Sequence, residues 1–286
     1  MTENNKGQLH YWRLIAMVPV LLVAFLSTIG TGGSSSSSIF IVCPPDEVDN
    51  QNFSAQEPIA FNLNVVNHTE LLMNAKDGVV TVTGVPAATT IVISGVKRVL
   101  SESVQDAQDH LQDLQVTVQD LNNRASVTTD QPRCELGREY IVEYTITVPS
   151  FFAVRINNLD GDVTVDSVDD DVSVNNLSGT VTLTDIAGSA AVDLLSGNIV
   201  AEINFLPLDG TIEMKILNGN INLEIPINIS AEFTARVNLG NINVSSNLGL
   251  VPDVITATFV SGTLGNGDAD ILLETEATGD IDVLGI

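Results

Sequence analysis

The strongest pattern in the chain is a nine-residue period of apolar and polar positions that begins after Pro149. Gly161, Asp170, Gly179 and Gly188 fall nine residues apart, with segments such as DGDVTVDSV and SGTVTLTDI between them. Apolar residues recur two and four places after each turn residue, which is the alternation of a β-strand with one buried face. Each unit is therefore predicted to form one strand and one turn.

The apolar positions of these units are predicted to point into a common core. The pairs two and four places after the turn are Val163 and Val165, Val172 and Val174, Val181 and Leu183, Ala190 and Val192, and Ile199 and Ala201. A third set, seven places after the turn, is expected to point inward after a bend: Val168, Leu177, Ile186 and Leu195. Such units cannot bury an apolar face alone, so we expect each to cover the next in a stack. The pattern leaves open whether two or three units close each turn. Looser units follow at Gly210, Gly219, Gly240 and Gly279.

A less regular strand region is predicted over residues 59–149. The segments IAFNLNVV, GVVTVTG, TTIVIS and YIVEYTITV alternate as strands do. After Ser101 or Ser103, either of which can cap a helix, apolar residues recur at helical spacing. The predicted fold is therefore mainly β: a β-solenoid-like stack of roughly nine-residue strand–turn units over 150–286, preceded by a small strand region with one short helix.

The N-terminal segment is predicted to direct the chain to a membrane. Residues 11–29, YWRLIAMVPVLLVAFLSTI, hold an uncharged apolar run, and as a helix they would be about 28 Å long. That length is borderline between the apolar part of a signal peptide and a spanning anchor, so residues 1–30 are assigned to either. The Gly/Ser tract that follows predicts a flexible linker and arm over 31–58.

The same segment predicts the compartment. Lys6 and Arg13 precede the apolar run and are expected to stay inside. We therefore expect a bacterial envelope protein, membrane-anchored or secreted, with its folded part on the non-cytoplasmic side, in the periplasm or at the cell surface. Cys43 and Cys134 are the two cysteines, and in that oxidising compartment we expect them to form a disulfide.

Charge narrows the range of partners. The chain has 286 residues and a formal net charge of −25. Such a surface repels phosphate backbones, so nucleic acid is not an expected partner.

An acidic cluster near the first repeats is the weak candidate for a metal site. Asp160, Asp162, Asp169 and Asp171 supply the oxygen ligands that calcium prefers. The alternative is a solvated row of turn residues, which the sequence favours. We therefore expect no metal and no cofactor.

No arrangement of nucleophile and base stands out in the sequence. The three histidines, His10, His68 and His110, lie outside the repeat and are expected at the surface. A polysaccharide-active β-helix enzyme is a weaker alternative, because its cationic candidates reduce to Arg155, Lys215 and Arg236 and because short units leave little room for cleft-forming loops. The prediction is that the protein is not an enzyme.

The outward positions of the repeat suggest a binding surface. Alternation places Thr164, Ser173 and Thr182 opposite the inward valines. A flat row of hydroxyls suits contact with a glycan or another protein, although soluble strand faces also carry such residues.

Several motifs together resemble the putative-adhesin family of bacterial proteins, a domain of unknown function built from β-strand repeats. The resemblance rests on DGVVTVTG, the strand ending in ITVP, the repeats NLDGDVTV, NLSGTVTL and LNGNINLEIP, and the closing GTLGNGDADILLETEATGDIDVL. It covers roughly residues 59–286. It implies a cell-envelope β-repeat domain and brings no catalytic residues with it.

The function expected from these observations is a non-enzymatic, adhesin-like module of the cell envelope. Its surface would contact a cell-wall or surface glycan or an envelope protein, and its N-terminal segment would contact the membrane. The alternative is a sensory or regulatory accessory protein of the envelope that binds a signalling partner.

Overall fold

The computed structural model describes residues 51–65, 67–121 and 123–286, which lie in one compact unit that spans Cys43–Ile286. In chain order the elements are β1 (Phe53–Asn64), β2 (Glu70–Asn74), β3 (Val80–Val85), β4 (Thr90–Ser101), α1 (Val104–His110), β5 (Gln115–Leu121), β6 (Arg124–Asp130), β7 (Glu139–Pro149), β8 (Ala153–Asp160), β9 (Val163–Val168), β10 (Val172–Ala187), β11 (Ala190–Phe205), β12 (Thr211–Ile225), β13 (Ala231–Leu239), β14 (Ile242–Val244), β15 (Val251–Ile255), β16 (Phe259–Leu264), β17 (Asp270–Thr278) and β18 (Ile281–Gly285). The mainly β fold with one short helix is confirmed.

Two nine-residue units complete one coil of the stack. Val172 at the start of β10 pairs in parallel with Val154 of β8 and with Ala190 of β11, each 18 positions away. The second half of β10 repeats this offset, since Val181 pairs with Val163 of β9. The register therefore settles the number of units per coil that the sequence left open.

The coils form two rows of strands with the core between them. The first row runs β5, β6, β2, β8, the first half of β10, of β11 and of β12, then β17, β13, β16 and β15. The second row runs β1, β4, β7, β3, β9, the second half of β10, of β11 and of β12, then β18 and β14. The described part of the chain is thus a two-sided β-solenoid.

The order of the coils differs from the order of the chain. From one end, the coils comprise residues 70–85, 153–168, 172–187, 190–205, 211–225, 270–285 and 231–244. The predicted boundary at residue 150 is therefore not a break in the stack, because β2 of the predicted N-terminal region pairs directly with β8. At the other end, β17 and β18 lie between β12 and the earlier strands β13 and β14.

The five predicted inward pairs are buried, but the third apolar set divides. Val168 and Ile186 are buried, whereas Leu177 and Leu195 are 36% and 42% exposed. The bend that changes the alternation occurs at Ser167 and Asp185, whose φ angles are +58° and +54°. No non-glycine residue with a positive φ stands just before Leu177 or Leu195. The alternation of inward and outward side chains therefore continues unbroken, and both leucines point outward. The expectation that they point inward was wrong.

The two ends of the stack are closed differently. At the end that holds β1 and β4, helix α1 packs on both strands and buries Ala107. Ser103 caps this helix by accepting a hydrogen bond from the Asp106 amide at 3.1 Å. At the opposite end, the hairpin of β15 and β16 continues the first strand row, and β14 is the last strand of the second row.

Several predictions concern residues outside the described part of the chain. The signal or anchor segment 1–30, most of the linker 31–58, and Cys43 all belong there. Among the described residues, no helix combines the length and apolar character that a membrane crossing requires. Cys134 is disulfide-bonded, and its predicted partner Cys43 lies outside the described residues.

Candidate functional site

The solenoid presents two outer surfaces. We call the outward side of the first strand row the first face and that of the second strand row the second face. Because side chains alternate along each strand, residues between the buried ones form straight rows across the coils on each face. Regular rows of this kind give a surface on which one chemical group repeats at the spacing of neighbouring strands, about 4.8 Å.

A row of threonines lies on the second face. Thr81 of β3 pairs with Thr164 of β9, and Thr164 pairs with Thr182 of β10. Thr145 of β7 extends the row on the other side of Thr81, and the hydroxyl of Ser94 in β4 donates to the Thr145 carbonyl oxygen at 3.0 Å. The side chains are partly or fully exposed. Two of the three predicted binding residues, Thr164 and Thr182, are therefore neighbours in a longer hydroxyl row, which we call the threonine row.

The same line continues across the remaining coils as polar side chains. Beyond Val200 on β11 come Asn222, Asp282 and Asn243 on adjacent strands. The Asn243 Nδ2 donates to Asp282 Oδ1 at 2.8 Å, which fixes the orientation of both side chains. The second face thus offers hydroxyl groups at one end and amide and carboxylate groups at the other.

Charge differs between the coil segments of the two faces. The coil segments of the second face, from β3 and β9 through the second halves of β10–β12 to β18 and β14, contain acidic residues but no lysine or arginine. The repeat half has its three cations on the first face, and each is ion-paired. Arg155 contacts Glu70 at 2.7 Å, Lys215 contacts Glu213 at 2.5 Å and Arg236 contacts Glu274 at 3.5 Å.

Ser173 is separated from the other two predicted binding residues. It lies in the first half of β10, where it pairs with Arg155 and Ala191 on the first face. Thr182 lies in the second half of the same strand, beyond the turn at Gly179. The sequence could not reveal this division. The nine-residue period is the same whether successive units lie on one face or alternate between two faces.

The predicted acidic cluster is also divided, between two corners of the coil. Asp160 and Asp162 flank the glycine corner, and Asp162 Oδ1 accepts a hydrogen bond from the Thr180 amide at 2.7 Å. Asp169 and Asp171 lie at the opposite corner, where Asp171 Oδ1 accepts from the Ser189 amide at 3.1 Å. Two of these carboxylates therefore bond to the backbone of the next coil. Within the described ranges, no group of three acidic, histidine or cysteine side chains is arranged to hold a metal ion.

The histidines depart from the sequence expectation at one position. His68 is buried rather than exposed, and its Nε2 lies 2.8 Å from Asp120 Oδ1. The turn-like sequence around it gave no sign of this burial, because Asp120 reaches it from β5 across the fold. His110 is partly exposed and bonds to Asp113 at 2.6 Å, and His10 lies outside the described residues.

The most perturbed ionisable groups serve structure. The Arg138 guanidinium donates to both carboxylate oxygens of Asp106, at 2.7 and 2.8 Å, and this pairing with Arg138, then the Ser101 hydroxyl, lowers the pKa of Asp106 to about 2. The Ser101 hydroxyl donates its hydrogen bond to this ion-paired carboxylate. Burial raises the pKa of Tyr144 to about 12, and its hydroxyl lies 2.7 Å from that of Thr129.

Two members of the threonine row, Thr81 and Thr145, were missed by the sequence reasoning. The signal for Thr81 was present: residues 77–84 read DGVVTVTG, which matches DGDVTVDS at 160–167 position by position in its turn glycine and alternating strand. Counting that segment as a repeat would have placed Thr81 in line with Thr164. Thr145 had no such signal, since it lies eight residues after Gly137, whereas each threonine of the repeat lies three residues after its turn glycine.

The family model described as Toastrack DUF4097 matches residues 28–284. No curated protein matches the chain.

Two solved structures resemble the fold distantly. A putative cell adhesion protein from Clostridium sporogenes ATCC 15579 is 11% identical, with a TM-score of 0.43 over 80% of this chain and 100% of that chain. A putative adhesin from Bacteroides fragilis NCTC 9343 is 12% identical, with a TM-score of 0.28 over 81% of this chain and 99% of that chain. Overlaps this weak carry no argument about the ligand of the present chain.

Proposed function

The chain belongs to the Toastrack DUF4097 family, and from this premise we propose that it is a non-enzymatic binding module of the cell envelope whose second face contacts a cell-wall or surface glycan. The observation that carries the proposal is the register of Thr81, Thr164 and Thr182, which sets their hydroxyls in one row on adjacent strands. Hydroxyls both donate and accept hydrogen bonds, so a repeating row suits a repeating hydroxylated polymer.

The electrostatics of the coil segments of the second face favour this class of ligand over anionic ones. The two cations of the neighbouring strand β4, Lys97 and Arg98, are each paired with a glutamate, Glu57 and Glu143. The coil segments lack cations, and Asp166, Glu202, Glu224 and Asp282 add negative charge. An anionic polymer or lipid surface would be repelled, whereas a neutral or amine-bearing glycan would not. The contact would gain from many equivalent hydrogen bonds rather than from one deep pocket.

The envelope location is part of the proposal. It is supported by the apolar segment at 11–29 with its preceding basic residues, and by Cys134, which is disulfide-bonded. A disulfide is typical of proteins outside the reducing cytosol.

Removing hydroxyls without changing shape or charge tests the proposal. The double variant Thr164→Val with Thr182→Val keeps β-branched side chains on the strand, so its thermal unfolding should match that of the wild type. Purified cell-wall sacculi should bind the full chain, and the double variant should bind about tenfold more weakly, as expected for two lost hydrogen bonds.

The chain supplies a matched control on the other face. Ser173→Ala removes a hydroxyl from the first face and should leave binding to sacculi unchanged. Equal weakening in Ser173→Ala, or full binding by the double variant, would contradict the assignment of the second face. If sacculi fail to bind and an envelope protein is retained instead, the regulatory accessory role replaces the glycan-binding one.

A further inference from the structure

The end of the solenoid formed by β14 and β15 leaves the core partly open. A groove of about 470 Å³ lies between the last strands of the two rows, and its apolar lining comes from Ile242, Val244, Leu250, Ile255 and Val260. Stacked repeats need a polar terminal cap, because the last unit otherwise exposes its apolar inner face. At the opposite end α1 packs on β1 and β4, but here no element of the described part of the chain covers the groove.

Strand β15 is exposed along its whole length. All five of its residues are exposed, with Val251 at 68% and Ile255 at 66%. It pairs with β16 on one edge, and among the described strands nothing pairs with its other edge. Leu239, at the end of the strand β13 that pairs with β16, is also 64% exposed. Apolar surface grouped in this way marks an interaction site in a soluble domain.

This end is also the nearly uncharged part of a strongly acidic molecule. Between Val237 and Gly267, Asp253 is the one charged residue, whereas the chain as a whole carries a net charge of −25. Two copies of the protein repel each other over most of their surfaces. They can approach most closely where charge is sparse, which is the end with the open groove.

We propose that this end is a dimer interface, in which the exposed side chains of β15 from each copy fill the end groove of the other. The partner is a second copy because the surface supplies both halves of the contact, an apolar projection and an apolar groove, as a two-fold interface requires. A two-fold contact uses the same surface on both copies, so it closes on itself and does not grow into a filament.

Side-chain packing, rather than a continuous strand ladder, holds the interface. Pro252 in the middle of β15 has no amide proton to donate, and proline on an edge strand opposes backbone pairing. The apolar side chains beside it remain available for the groove. The interface involves no residue of the threonine row, so the dimer holds that row free on both copies.

Sedimentation of the full chain in a neutral detergent tests the proposal. Over about a hundredfold range of concentration, the wild type should shift from monomer to dimer. The double variant Val251→Glu with Val254→Glu places charge on side chains of β15 that do not line the groove, and it should raise the dissociation constant at least about tenfold. Both residues are exposed, so the unfolding temperature should not change at concentrations where both proteins are monomeric, and this check separates lost association from lost folding.

The matched control is Leu208→Glu, which charges another exposed leucine, 76% accessible, in the loop between β11 and β12. This variant should dimerise like the wild type.

Hydrogen exchange gives a second readout, because amides of β14 should exchange more slowly at high concentration. A wild-type monomer at every concentration, an unaffected double variant, or equal dissociation of the Leu208 variant would overturn the proposal. None of these outcomes depends on glycan binding, so this experiment tests the dimer independently of the proposed function.

Discussion

The carbonyl oxygen of Gly179 lies against Gly197 in the next coil, so closely that a β-carbon added to Gly197 would be 1.8 Å from that oxygen. The φ angle of Gly197 is +142°, a conformation that other residues rarely adopt. The same contact repeats from coil to coil along one corner, through Gly78, Gly161, Gly179, Gly197, Gly219, Gly279 and Gly240. Glycine at this corner therefore sets how tightly the coils stack.

Gly197→Ala should destabilise the protein strongly. The backbone strain alone costs about 1–3 kcal/mol, and the collision with the Gly179 carbonyl adds to it. We expect the midpoint of thermal unfolding to fall by about 5–10 °C. Gly249→Ala is the control, since Gly249 also has a positive φ but no atom lies within 4 Å of an added β-carbon. Equal losses in the two variants would mean that strain, not stacking, dominates.

Leu183 should tolerate charge far less than its neighbour Thr182. Leu183 is 1% exposed, while Thr182 points outward on the same strand. Leu183→Asp buries a carboxylate without a partner and should cost about 3 kcal/mol or more in the free energy of unfolding. Thr182→Asp should change it by less than about 0.5 kcal/mol. Urea unfolding measures both, and a mild effect at Leu183 would mean that the coil can open locally to water.

The fold class could be predicted because every coil repeats the same local rule. The alternation of Val163 and Val165, or of Val181 and Leu183, is local in sequence, and the structure buries these positions as expected. The insertion of β17 and β18 ahead of β13 could not be predicted in this way. All coils of the stack share the same apolar pattern. The pattern alone therefore does not determine the order in which the coils are stacked in space.

The candidate surface could be predicted only in part from the sequence, because the repeat pattern does not tell on which face of the stack a residue lies. Alternation along the strands placed Thr164 and Thr182 on the outside of the stack, and the register puts them side by side at the same step of the coil. It could not separate Ser173, because parity distinguishes inside from outside but not one outer face from the other. The face depends on how many units close a coil, a quantity that only the register reveals.

The disulfide between Cys43 and Cys134 remains a prediction. Cys134 is disulfide-bonded, and Cys43 is the other cysteine of the chain. Closing a loop of this length should stabilise the folded state by about 4 kcal/mol in the chain-entropy model. Reduction should therefore lower the unfolding temperature of the wild type, and should have no effect on Cys134→Ser. Labelling of two free thiols in the unfolded, unreduced protein would contradict the bridge.

The ion pair between Asp106 and Arg138 should make stability depend on acidity in a defined range. The Arg138 guanidinium, with help from the Ser101 hydroxyl, lowers the pKa of Asp106 from 3.8 to about 2 in the folded state. The unfolded chain therefore takes up a proton at higher pH than the folded chain does. The stabilisation is complete above about pH 4 and is lost as the pH falls from about 4 to 2.

The difference in pKa corresponds to at most about 2 kcal/mol. The two side chains are 24% and 17% exposed, so solvent screens the pair and we expect about 1 kcal/mol. Asp106→Asn should accordingly be less stable than the wild type by that amount at pH 7, and the gap should close near pH 2. Asp109→Asn, on the same helix, should show little loss at either pH, because Asp109 accepts one exposed hydrogen bond from Gln105. Urea unfolding at several pH values checks both variants. A gap for Asp106→Asn that stays constant with pH would mean that the variant acts through packing of α1 and not through the charge of the carboxylate.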